Sequence, residues 1–333
     1  MTQRRTDVDV VRFLALVSMY VAHVAPVPGP AHVLELSEYL TMPLFAVLIG
    51  VGAQLGARGA PGRWWWSMLV RAAVLVGLGL ALERAGSQVV IVLVHLGVLV
   101  VVAGLLARLP SLVVAAVGVA AVVVGELFLG DAGTYFVGDG WTDDLRRFLW
   151  VGGPYRLLTM VLFAAVGIVL ARWWVTGERR RSILLPGAVG AVLLVPAAVM
   201  LAAEQAGRID LVPYSGTLQE TVLDTLLAAG VLGVGLALGR LLERVRPLVG
   251  LLATAGAMTL TLYVLQVLWL AYDVRVLHPG ARDDSWTNLG VLVAGSLVIA
   301  AAWPVVVRRE PWRRGPLEGV VAGVTCLVPG ARH

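Results

Sequence analysis

Of the chain's 333 residues, 59% are hydrophobic and only 14% are charged, and the mean hydropathy is +0.87. A soluble domain averages roughly 45–50% apolar and about 25% charged residues, so a soluble two-domain enzyme, a disordered chain and a disulfide scaffold are all excluded. The net charge of +5 does not mark a nucleic-acid binder, because the basic residues are scattered between long apolar runs instead of gathered on one face. What remains is an all-α, polytopic integral membrane protein, read as one domain over residues 1–333. All 26 basic residues are Arg, which points to a GC-rich, actinomycete-like genome and carries no mechanism. The single Cys326 permits no intrachain disulfide.

A spanning helix needs about 20 mostly apolar residues. Taken in chain order, ten spans are predicted: 10–28, 38–57, 65–84, 88–107, 110–130, 154–175, 183–203, 217–239, 248–273 and 287–307. The first resembles a signal peptide only superficially: its apolar run is long, and Pro26 and Pro28 make a poor cleavage site. Gly50, Gly77, Gly79 and Pro196 within spans are compatible with close helix packing in lipid. The longest outer loop, about 131–153, is polar and reads as a lid or a plain connection. Residues 310–333 read as an interfacial cytoplasmic tail. With the N-terminus placed inside, sixteen loop arginines face the cytoplasm, among them Arg58, Arg108, Arg172, Arg240 and Arg314, and seven face outward. That asymmetry sets the orientation, and ten spans put both termini inside.

Polar residues inside spans are costly, so each is a candidate for function. In the first span, Asp9-Val-Val-Arg12 is followed by His23. Eleven positions at about 100° each close three turns with roughly 20° to spare, so Arg12 and His23 share one helix face, roughly 16 Å apart along the axis. Asp9 stands three residues before Arg12 and is placed to pair with it. Imidazole is the usual general base at neutral pH, so His23 is the candidate catalytic residue; a hydrogen bond between helices is the structural alternative. Arg71, about two turns into the third span, needs an anion or a carboxylate partner. It reads as a site for the phosphate or thioester end of a cytosolic donor, or else as a snorkelling or paired arginine. Arg12 reads equally as an interfacial anchor. In the outer half, His95, Glu126, Asp224, Tyr263 and Gln266 join His23 as candidate lining of a cavity for a polar acceptor. Nucleotide phosphate loops, zinc-protease helices, paired-cysteine metal motifs and serine nucleophile elbows are absent from the sequence, and no metal is expected.

These residues carry a resemblance. Asp9-Val-Val-Arg12-Phe-Leu-Ala with His23 after an Arg-x10-His spacing resembles the first helix of the transmembrane acyltransferase superfamily, which includes the acyltransferase type three proteins and the relatives of heparan-α-glucosaminide N-acetyltransferase. Three further segments resemble the YeiB-like uncharacterised membrane proteins of that group: Pro43 to Gly52, the Arg71-bearing third span, and Gly256-Ala-Met-Thr-Leu-Thr-Leu-Tyr-Val-Leu-Gln266. Gly315-Pro-Leu-Glu318 resembles the start of their C-terminal Gly-Pro-Leu-Glu-Trp element. Ala257, Leu262 and Gly319 stand where that pattern has Arg, Asn and Trp. The resemblance implies acyl transfer, commonly acetyl from acetyl-CoA, to a hydroxyl or amine of a sugar, glycan or small metabolite, at a bacterial cytoplasmic membrane. It implies that Arg12, supported by Asp9, and Arg71 hold the CoA end, that His23 is the base, and that Tyr263 and Gln266 orient the acceptor. A transporter or flippase for a small or lipid-linked metabolite, and a non-catalytic membrane scaffold, are the rival readings. Oligomeric state is left open.

Overall fold

A computed structural model describes residues 5–26, 33–57, 61–129, 140–151, 153–176, 182 and 184–326. Among them every regular element is helical: α1 (Thr6–Val24), α2 (Val33–Gly56), α3 (Pro61–Glu83), α4 (Leu93–Leu106), α5 (Ser111–Val124), α6 (Trp141–Leu149), α7 (Leu157–Leu170), α8 (Leu184–Gln205), α9 (Leu218–Leu241), α10 (Arg246–Ala257), α11 (Thr259–Tyr272), α12 (Trp286–Val306) and α13 (Pro316–Cys326). Eight are long and apolar enough to cross a bilayer: α2, α3, α8, α9, α12, and α5, α7 and α11 once their C-terminal π turns are included. The molecule is a polytopic helical bundle.

Three of the ten predicted spans take a different form. The first, α1, is 19 residues long and carries Asp7, Asp9 and Arg12 in its first two turns. The fourth is helical only from Leu93. Fourteen helical residues reach about 21 Å, short of the roughly 30 Å of a hydrocarbon core. Its outer end, Gly86–Val92, is irregular. Non-helical backbone is tolerated at such depth only where it is buried in protein or lines a cavity, and Val92 lines one, as described below. The ninth predicted span, 248–273, is interrupted. The chain leaves helical geometry at Met258 (φ −98°, ψ 20°), dividing it into α10 and α11. The long outer loop contains α6 at residues 141–149; residues 130–139 lie outside the described residues.

α1 is the hub, packed by α2, α9, α10 and α12. Around it, α2 crosses α7 and α8 crosses α9 at backbone contact. A Cβ on Gly50 would overlap the Ala164 carbonyl, and one on Gly167 would overlap that of Val47. Small residues of this kind let helices approach where lipid offers no hydrophobic drive between them. Gly79 plays the same part against Val94, whereas a Cβ on Gly77 would meet nothing within 4 Å. The peripheral α5, α8 and α12 turn Leu112, Val119, Val192, Val199, Val298 and Val305 outward, as lipid-facing helices do. At the inner end, buried Asp7 accepts from Arg5 and from Arg240 of α9, both at 2.8 Å, and Arg240 also donates to the carbonyls of Ser182 and Trp174. This network ties α1, α9 and the end of α7 together.

The tail is docked against the bundle. α13 packs on α3 and α11, and its Glu318 accepts from the backbone N–H of Leu260 (2.8 Å) and Thr261 (3.1 Å) and from the Thr261 hydroxyl. The break at Met258 leaves the first N–H groups of α11 without carbonyl partners, and Glu318 satisfies them.

Candidate functional site

Toward the inner end, three guanidinium groups from distant parts of the chain lie within range of one another's charge. Arg12 of α1 is held by Asp9 at 2.7 Å, with its Nη2 facing Gly52 of α2. Arg71 of α3 is exposed, and the charges of Arg12 and Arg314 bear on it. Arg314 comes from the short turn Trp312–Arg314, with Glu310 at 3.2 Å. Two of the three thus have a carboxylate beside them. Among the described residues Arg71 has none, and the cluster keeps a net positive charge facing outward from the protein. Arg314 was not among the residues expected from sequence; it sits in a polar tail and carries no signal of its own.

In the outer half, Gln266 Nε2 of α11 lies 2.7 Å from His23 Nδ1 of α1. Gln266 is completely buried, and its Oε1 has no hydrogen-bond partner. An amide's nitrogen and oxygen are isosteric, so two states of the pair fit the same space. With Nε2 toward the ring, Nδ1 accepts and the imidazole proton sits on its far nitrogen. With Oε1 toward the ring, Nδ1 donates and the far nitrogen is a free base. His23 lines a narrow cavity with Met19, Thr41, Phe45, Val92, Tyr155 and Tyr214, with room for little more than a water molecule. Thr41 is fixed there by a hydrogen bond to the Ser37 carbonyl and one shared with Ser18.

A second, equally narrow lobe adjoins the first, sharing Met42 and Tyr214, and is lined by Glu38, Arg156, Thr159, Glu220 and Asp224. Tyr214 forms the partition and has φ 63°, a left-handed conformation uncommon outside glycine. It is held at both ends. Arg156 donates to its carbonyl at 2.8 Å, and Glu220 accepts from its N–H and from Ser215 and Gly216. Thr217 accepts in turn from the N–H of Glu220, a side-chain N-cap on α9.

The remaining predicted residues divide. Asp224 lines the second lobe. Tyr263 is buried beside Val92 and Tyr155, directly behind the wall of the first lobe. His95 stacks on Phe148 of α6 at 4.2 Å and stands 6.0 Å from Tyr155, one layer further back. Glu126 is not brought in. It is exposed on the π turn Gly125–Leu129 at the end of α5, away from both lobes. Tyr155, Tyr214, Glu38, Arg156, Thr159 and Glu220 were not anticipated, because they lie at span ends or in short loops. The Thr217-x-x-Glu220 capping pattern is the one signal that marks this loop in the sequence. Between the arginines and His23, the shared face of α1 presents Leu16 and Met19, both buried, so a closed apolar layer separates the two groups. Among the described residues no three His, Cys, Asp or Glu side chains converge as a metal-ligand set. No family model matches the chain, and no curated protein matches it.

Proposed function

We propose that this chain is an acyltransferase of the bacterial cytoplasmic membrane, moving an acyl group, acetyl in the simplest case, from acyl-CoA to a hydroxyl or amine of a sugar, glycan or small metabolite. The observation that carries the reading is the alignment on α1: a histidine lining a narrow cavity, and on the same face roughly 16 Å below it an arginine within charge range of two further guanidinium groups, one of them without a carboxylate beside it. Arg12, Arg71 and Arg314 bind the phosphates from the cytoplasmic side, where guanidinium forks match phosphate oxygens. The acyl end extends along the α1 face toward His23, which requires the Leu16–Met19 layer to part.

In the first lobe the acceptor oxygen or nitrogen attacks the thioester carbonyl and its proton passes to the far ring nitrogen of His23. The C–S bond breaks as the C–O or C–N bond forms, and the departing thiolate takes up the proton. For this His23 needs its resting proton on Nδ1, which a half-turn of the Gln266 amide secures by presenting Oε1. Tyr155 and Tyr214 bound the space in which the acceptor lies.

Transport is the second reading, favoured by the interrupted ninth span, since transporters build substrate sites on broken helices. Against it stands Glu318: the helix N-terminus that would face a substrate is already occupied by a carboxylate of the same chain. The test is turnover. In nanodiscs, acetyl-CoA with an acceptor, or slow hydrolysis without one, releases free CoA; His23→Ala lowers that release about 10²–10⁴-fold while donor binding persists. Release unchanged in His23→Ala overturns the base assignment, and uptake of a metabolite into vesicles without CoA release favours transport.

A further inference from the structure

We propose that residues 278–285, the connection between α11 and α12, form a strap that closes the outer entrance to the His23 lobe, with Asp283 as its release point. The lobe holds little more than a water molecule, so any larger ligand reaching His23 from outside has to displace part of the wall. Met19, Thr41, Phe45 and Leu96 of that wall belong to α1, α2 and α4, fixed in the bundle. Val92, Tyr155 and Tyr214 belong to connections. Tyr214 is anchored by Arg156 and Glu220. Tyr155 donates its hydroxyl to the Val90 carbonyl at 3.3 Å, so it goes with the irregular segment Gly86–Val92. That segment is the movable piece of the wall.

The strap sits on it. Gln88 Nε2 donates to the Ala281 carbonyl at 2.9 Å. The Arg275 guanidinium, just before the strap, lies so close over Gly86 that a Cβ there would overlap it. Gly86 has φ 71°, a conformation that glycine adopts without strain. One amide pins both ends of the strap. Asn288 of α12 donates through Nδ2 to Asp273 Oδ2 at 2.7 Å and to the Asp283 carbonyl at 3.0 Å, and its Oδ1 accepts from Trp269. At the α11 end, His278 Nδ1 lies 2.9 Å from Asp273 Oδ1.

Asp283 is the weak point of this closure. It is 3% exposed, and its Oδ2 has no hydrogen-bond partner. The charges that bear on it have its own sign: Asp284 beside it and Asp273 at the end of α11. Arg282 reaches toward Asp284 at 4.0 Å, Arg275 is turned to Gly86, and neither α12 nor Gly86–Val92 contains a charged residue. Burial, and then the charge of Asp284, push the Asp283 carboxyl above its ordinary range. The closed strap therefore favours the protonated acid. Its stability is full below the ordinary carboxylate range and is lost as pH rises through the raised value. Lifting the strap returns the ionised group to water. A protonated His278 strengthens the Asp273 end, so both groups close the strap on the acid side.

The experiment is thiol trapping in nanodiscs, with no acyl-CoA present. In a Cys326→Ser background, Thr41→Cys places a thiol in the lobe, and a small water-soluble methanethiosulfonate reports how often the lobe opens. Exposed Cys326 in the unaltered chain gives the reference rate at each pH. Relative to that reference, modification is expected to speed several-fold between about pH 4 and about pH 7, the span over which a raised carboxyl ionises. Gln88→Ala and Gly86→Ala each speed it further at every pH. Asp283→Asn slows it at neutral pH and flattens the pH profile, and Arg71→Ala changes nothing. Should Thr41→Cys fail to fold, hydrogen exchange of residues 278–285 in the unaltered chain carries the test: protection falls from acid to neutral pH and is restored by Asp283→Asn. A trapping rate or protection that the strap variants leave unmoved, or a pH profile that survives Asp283→Asn, overturns the proposal. Access to the lobe is read without turnover, so the strap stands or falls apart from the acyltransferase reading.

Discussion

His23 and Gln266 are 243 positions apart and meet at 2.7 Å. Each is conspicuous in the sequence as a polar residue in an apolar run; their partnership is not, because nothing in either span encodes which face meets which neighbour. On the proposed reading, the pairing makes Gln266 a residue that positions the base, beyond the acceptor-orienting role expected for it. Gln266→Leu frees the ring to turn and removes control of its tautomer, so CoA release is expected to fall about 10–100-fold. Rescue by Gln266→Glu, which can only accept from Nδ1, distinguishes tautomer control from packing: a variant that restores turnover supports it, and one that stays as low as Leu does not. Asp7 shows the opposite case, a buried carboxylate whose role is structural. Asp7→Asn leaves Arg240 buried beside a neutral partner, and breaking such a pair costs about 3–5 kcal/mol, read as a lower melting temperature in detergent. Glu126 looked equivalent to Asp224 by position along its span. The π turn that ends α5 leaves it exposed, a local distortion that hydrophobic periodicity does not report.

At the scale of elements, the apolar runs were long enough to locate nearly every helix, since about 20 residues are needed to cross and few other solutions exist. In one of the two places where the runs misled, a polar side chain from elsewhere explains why. The run 248–273 reads as one span, yet α10 and α11 part at Met258, and Glu318, 57 positions beyond Thr261, caps the new N-terminus. Glu318→Ala exposes those N–H groups and is expected to destabilise the fold by about 1–3 kcal/mol. It also unseats α13 and the preceding turn, so donor affinity falls along with that of Arg314→Ala; a variant that melts early but binds acyl-CoA normally would separate the tail from the arginine cluster. The run 88–107 reads as a full span, but Gly86–Val92 is irregular and Val92 lines the first lobe. In the sequence Gly50 is only compatible with close packing; the crossing of α2 on α7 shows that it and Gly167 are both required. Gly50→Leu is expected to prevent assembly, seen as aggregation on size-exclusion chromatography, whereas Gly77→Leu, with open space around it, leaves the elution profile unchanged.

For the whole molecule, the distribution of charge along the chain states an orientation, arginine clusters inside and the His23 cavity outside. The chain supplies its own probe, since Cys326 is the only cysteine and is exposed. A membrane-impermeant maleimide is expected to label it in inside-out vesicles and not in intact cells; labelling from outside reverses the topology and places the arginines on the wrong side for a cytosolic donor. The central claim joins the two ends of this molecule: arginines that hold a donor below and a histidine that takes a proton above. The most direct measurement is CoA release from acetyl-CoA by purified protein in nanodiscs, with donor binding measured alongside, for wild type, His23→Ala and Arg71→Ala. The account predicts binding and release by wild type, binding without release by His23→Ala, and loss of both in Arg71→Ala. Wild-type protein that neither binds nor consumes acetyl-CoA or longer acyl-CoAs, or a His23→Ala variant as active as wild type, would contradict it.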